Sequence, residues 1–176
     1  MNYTIGDNLR EVPDDWEEFE KGIISLEQKL ADANTNLEKA KHLSKLGALN
    51  RIVGNLAVSF KQLTDAQSII RDLNSEKLYI VNEIRLATTL QFQGRFEAAE
   101  EIHTTLEQQI NTNNEHRDLL DFIHQHKGKN YYEWGKLDLA LTEFEKALSI
   151  RKIKGNEALI HSTEKAIQKM RGLMDI

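Results

Sequence analysis

The sequence predicts an all-α fold built from repeated antiparallel helix pairs, about eight helices in total. Three observations carry that expectation. The single proline, Pro13, leaves everything after it open to unbroken helices. Leu, Glu, Lys and Ala are abundant and β-branched runs are short, which argues against strands. Gly54, Gly94 and Gly135 stand 40 and 41 residues apart, a period that marks repeat architectures.

The elements follow in chain order. Residues 1–13, MNYTIGDNLREVP, have no apolar segment of the secretory kind and are expected to form a flexible tail. A first helix is expected over 14–32, with Trp16, Phe19, Ile23, Leu26 and Leu30 along one face. Three repeats follow, over 36–73, 76–111 and 115–153. Each is a helix A, a tight turn at the glycine, a helix B and an Asn-containing loop. Helices A are expected over 36–52, 76–92 and 116–133, and helices B over 56–72, 96–110 and 137–152. A capping helix over 156–172 closes the stack with Leu159, Ile160, Thr163, Ala166, Ile167 and Met170. Residues 14–176 thus read as a single domain.

The segments VGNLAVSFKQLTDAQSII, QGRFEAAEEIHTTLEQQI and WGKLDLALTEFEKALSI align without a gap. Seven residues before each turn glycine stands another tiny residue, Gly47, Ala87 or Gly128. Two helices joined by a short turn must approach closely there. Gly128 is therefore expected to pack against a small residue such as Ala140, while each turn glycine closes its hairpin at positive φ.

With these residues the chain resembles the tetratricopeptide repeat family. The third unit carries the pattern best, through Gly128, Tyr131, Gly135, Leu137, Ala140, Phe144 and Ala147. The family's usual early tryptophan is replaced by Leu43, Glu83 and His124, and its late proline is missing. The long step is similar to the subgroup found in kinesin light chain and in several bacterial regulators. The phrase Glu145-Lys146-Ala147-Leu148-Ser149-Ile150-Arg151-Lys152 fits that subgroup. The resemblance spans about 36–153. It implies a right-handed superhelix whose helices A line a concave, peptide-binding groove.

Composition excludes several chemistries. Without cysteine there are no disulfides, zinc fingers, iron–sulfur clusters or thiol catalysis. No phosphate-binding glycine loop occurs. His116-Arg117-Asp118-Leu119-Leu120 looks like a kinase catalytic loop in isolation, yet no other kinase element accompanies it. His103 takes an interior position usually aromatic and is expected to be a satisfied core histidine. Acidic pairs such as Asp14-Asp15, Glu17-Glu18 and Glu100-Glu101 fall at helix starts or on solvated faces. The expectation is a non-enzyme with no metal and no cofactor. A net charge of −5 argues against nucleic acid. The longest apolar-rich stretch, Ile52 to Val58, is too short for a bilayer, so a cytoplasmic protein with no membrane partner is expected.

The groove positions follow from the resemblance. The peptide-binding candidates are Lys41, Lys45 and Arg51 in the first unit and Arg85, Gln91 and Phe92 in the second. Phe122, His126, Lys129 and Tyr132 are those of the third. A basic groove with aromatic anchors suits an acidic peptide or a C-terminal carboxylate. The family's chaperone-binding carboxylate clamp is not supported, because Ser44, Ala48, Arg85, Phe122 and His126 stand at its positions. The expected function is a protein–protein interaction module with a protein or peptide partner. The alternative is a bacterial signalling regulator acting on a response regulator. Homo-oligomerisation through the terminal helix, Met170 and Met174 included, is a further option.

Overall fold

The computed structural model describes residues 2–174. They form eight α-helices: α1 (Trp16–Ala31), α2 (Asn36–Ile52), α3 (Leu56–Asp72), α4 (Glu76–Phe92), α5 (Phe96–Asn113), α6 (Leu120–Glu133), α7 (Leu137–Lys154) and α8 (Glu157–Leu173). The chain falls into two compact units, Met1–Gln93 and Gly94–Ile176. Within the first, α1 packs on α2, α2 on α3, and α3 and α2 on α4; within the second, α5, α6, α7 and α8 pack in succession. The all-α fold of helix pairs is therefore as expected.

The helix starts are set by local chemistry. Asp15 caps α1 by accepting from Glu18 N at 2.9 Å. Thr35 and Glu38 cap α2 reciprocally, each accepting the other's backbone N–H. Asn156 caps α8 through Leu159 N. Gly54, Gly94 and Gly135 all have φ between +74° and +84°, the left-handed conformation that lets a helix stop and turn within three residues.

The tiny residues inside helices A act as expected, but on different partners. A Cβ on Gly47 would stand 2.5 Å from Leu63 Cγ, and one on Gly128 2.7 Å from the Phe144 ring. The close neighbour of Gly128 is thus Phe144, not Ala140: a bulky side chain fills the gap that the missing Cβ leaves. Leu63 and Phe144 are both fully buried. Around Gly47 the core continues through Phe19, Ile23, Leu26, Leu46 and Leu49, which join α1 to α2.

Two expectations are corrected. Residues 1–13 were expected to be a flexible tail in a strand-free chain. Instead Tyr3–Ile5 (β1) and Glu11–Pro13 (β2) pair as an antiparallel hairpin, with Ile5 opposite Glu11 and Tyr3 opposite Pro13. Leu9 and Pro13 are buried, so the hairpin packs on the helices rather than standing in solvent. The helix expected over 116–133 begins at Leu120. His116 takes a left-handed φ of 55° and a single 3-10 turn, Arg117–Leu119, intervenes. Among the described residues, no helix is long and apolar enough to cross a membrane.

Candidate functional site

Within Met1–Gln93, the hairpin brings acidic and cationic groups onto the face of α2 and α4. Arg51 leaves the last turn of α2 with its side chain only 6% exposed. Its Nη1 donates to Glu11 Oε2 at 2.7 Å, and the Glu11 side chain is itself 8% exposed. Such a pair is sequestered from water, where opposite charges interact far more strongly than on a surface. The guanidinium carbons of Arg51 and Arg10 lie 4.7 and 4.1 Å from the centre of the Phe92 ring, within cation–π range.

Arg85, on α4, donates to Ser44 Oγ at 2.9 Å. Among the described residues it has no carboxylate partner. Burial, and then the like charge of Arg51, lowers its pKa. Arg51 Nε is buried and has no hydrogen-bond partner among the described residues. Burial and Glu11 raise the pKa of the Tyr3 hydroxyl, while Arg51 and Arg85 oppose that rise. The Glu11 carboxylate thus pairs with Arg51, while Arg85 rests on a serine hydroxyl, and guanidinium donor capacity is left over.

The other candidates of this unit divide. Lys41 and Lys45 are exposed on α2. Phe92 is partly buried under the two guanidiniums. Gln91 is 1% exposed and belongs to the core, with its Oε1 lacking a partner among the described residues. The register placed it on the groove; in the folded unit the α4 side chain turns inward.

In Gly94–Ile176 the candidates sit in a charge network. Phe122 has Lys154 Nζ 5.4 Å and the Arg151 guanidinium 5.7 Å from its ring centre. Arg151 is buried and donates to Asp121 at 3.0 Å and Gln125 at 2.9 Å, pinning α7 to α6. Its Nη1 also donates to Thr163 Oγ1 at 2.5 Å, which ties in α8. Lys154 adds a second contact to Asp121 at 2.7 Å. Lys129 is 8% exposed, whereas His126 and Tyr132 are partly exposed. Lys169 Nζ lies 5.9 Å from the Tyr132 ring centre.

Beneath these, Glu143 accepts from His124 Nδ1 at 2.7 Å and from Lys146 at 2.8 Å. Burial pushes Glu143 up, but the hydrogen bonds from His124 and Lys146 outweigh it and hold the carboxyl at about 2. Lys127 donates to Glu107 at 3.0 Å. Glu107, His124 and Glu143 place potential metal-ligand atoms within 4.8 Å of one another. Lys127 and Lys146 already neutralise those carboxylates, so the group reads as an internal ion network.

His103 is not the satisfied core histidine that was expected. It is fully buried, and neither ring nitrogen has a hydrogen-bond partner among the described residues. Burial, then the charge of Lys127, lowers its pKa to about 3, so it is neutral at pH 7.

Sequence reasoning missed Glu11, Arg10 and Tyr3. A signal was present: Gly6-Asp7-Asn8 separates two short segments that alternate in polarity, which is a hairpin pattern. Compared with models of known protein families and with curated proteins, the chain matches none.

Proposed function

We propose that this chain is a cytoplasmic, non-enzymatic interaction module of the tetratricopeptide type. In Met1–Gln93 it binds an acidic peptide on the α2–α4 face around Arg51, Arg85 and Phe92. One observation carries the reading: that face already grips a carboxylate on an extended strand, Glu11 on β2, at 2.7 Å from Arg51. Guanidinium groups match carboxylates in geometry and stay charged when buried, so they suit recognition at a desolvated site. Phe92 adds an aromatic anchor beside them. Exposed Lys41 and Lys45 on α2 favour an acidic partner and speed its approach.

The reading is tested by nuclear magnetic resonance with peptides matched in length but acidic, neutral or basic. Acidic peptides should shift the Arg51 and Arg85 side-chain N–H signals and the Phe92 ring signals. Equal shifts from basic peptides, or shifts confined to other helices, would contradict it.

A further inference from the structure

We propose that the N-terminal hairpin is an internal stand-in for the ligand, and that an acidic peptide reaches Arg51 and Arg85 by displacing Glu11. This rests on the reading of that face as an acidic-peptide site. It adds what fills the site when no partner is bound and what the partner must offer to win.

The hairpin has the character of an occupant that can leave. A two-stranded ribbon is marginal alone in water, so its order depends on what it docks against. The register puts Tyr3, Ile5, Glu11 and Pro13 on one face of the ribbon and Thr4 and Val12 on the other. On the inward face Pro13 is buried and Glu11 enters the ion pair. Tyr3, Ile5 and Val12 nevertheless remain 51%, 41% and 39% exposed. The ribbon's apolar surface is thus only partly used in docking. Its loop also holds Leu9 at φ 63°, a left-handed conformation disfavoured for a residue with a branched side chain.

The site, for its part, is incompletely satisfied by the hairpin. Glu11 supplies one carboxylate, to Arg51, and none reaches Arg85 among the described residues. Among the described residues Arg51 Nε lacks an acceptor, and Arg85 donates to a neutral serine hydroxyl. A peptide strand with two carboxylates near each other could meet Arg51 and Arg85 together. It would recover the hydrogen bonds that the hairpin leaves unmade. The required ligand chemistry is therefore a doubly acidic extended segment, with competition against Glu11 setting the affinity threshold.

The test uses the full chain and a fluorescein-labelled synthetic peptide of residues 2–15, NYTIGDNLREVPDD, which carries Glu11, Asp14 and Asp15. Glu11→Gln in the protein loosens the internal competitor while leaving Arg51, Arg85 and Phe92 in place. That variant should bind the peptide about tenfold more tightly than the wild type, from the loss of one charged contact on the competitor. In the wild type, hydrogen exchange gives a second reading that does not depend on a variant folding. Saturating peptide should abolish protection of the amides in β1 and β2 (residues 3–5, 11 and 12) while α2 and α4 keep theirs. Equal affinity for wild type and Glu11→Gln, with the hairpin still protected at saturation, overturns the inference and leaves the acidic-peptide site standing. No binding by either protein overturns both.

Discussion

At the residue scale, stability and the proposed recognition both turn on buried polar groups. Arg51 and Glu11 are a pair in which loss of either partner strands the other, a situation that costs about 3–5 kcal/mol when no water can enter. His103 offers the opposite case. Its two ring nitrogens bring no hydrogen bonds to the core, and the aligned positions hold Leu63 and Phe144. His103→Leu should therefore stabilise the protein by about 1–2 kcal/mol, the cost usually attached to an unsatisfied buried polar group. Urea unfolding at pH 7 checks this; a lower midpoint for the variant would show that the imidazole makes a contribution of its own.

At the element scale, the helices follow from a period of small residues and the hairpin does not. Gly54, Gly94 and Gly135 adopt the left-handed turn conformation that their spacing implied, and the helix limits fall within a few residues of those expected. That part was legible because each determinant is local: a cap, a turn glycine, an apolar stripe. Gly128 was legible as a close-packing site, but its partner was not. Which side chain fills a gap depends on three-dimensional packing, and Phe144 rather than Ala140 does so. Gly128→Ala should cost about 1–3 kcal/mol through overpacking against that ring, despite the better helix propensity of alanine. A thermal melt equal to or above that of the wild type would mean that Phe144 can move aside. β1 and β2 escaped detection because they are three residues each and are held by a contact 40 residues away in sequence. Of the candidate site, Arg51, Arg85 and Phe92 stand at positions that the family resemblance implies for the groove. Glu11 could not be read in that way, since nothing local to it requires a salt bridge.

At the scale of the whole molecule, the two units are expected to answer acid differently. His103 lies in Gly94–Ile176 with a folded pKa of about 3 against 6.5 for the unstructured side chain. The unfolded state then binds the proton first. The contribution of this residue is complete above pH 6.5 and declines toward pH 3, by about 1.4 kcal/mol per pH unit. Glu143, held at about 2 against 4.5, adds to the same decline below pH 4.5. In Met1–Gln93, burial raises the pKa of Glu83 despite hydrogen bonds from Gln67 and Asn82. A raised carboxyl pKa has the reverse sign: its contribution is complete below 4.5 and is lost as pH rises through the folded value. Native-state hydrogen exchange, referred to intrinsic rates, should show protection in α5–α8 falling between pH 6.5 and 4.5. Protection in α2–α4 should hold over that interval. His103→Leu should flatten the first response, and parallel losses in both units would contradict the assignment.

The net charge of −5 says little about the proposed partner, because Arg51 and Arg85 are gathered on one face of the first unit. The central claim is that Arg51 and Arg85 recognise acidic peptide. It is tested most directly by the affinity of one acidic peptide for the wild type and for Arg85→Gln, at low and at moderate salt. Arg85 has no carboxylate partner among the described residues, so the variant should stay folded. It should bind about tenfold or more weakly and with a shallower dependence on salt. Unchanged affinity and an unchanged salt response in a folded Arg85→Gln protein would contradict the account.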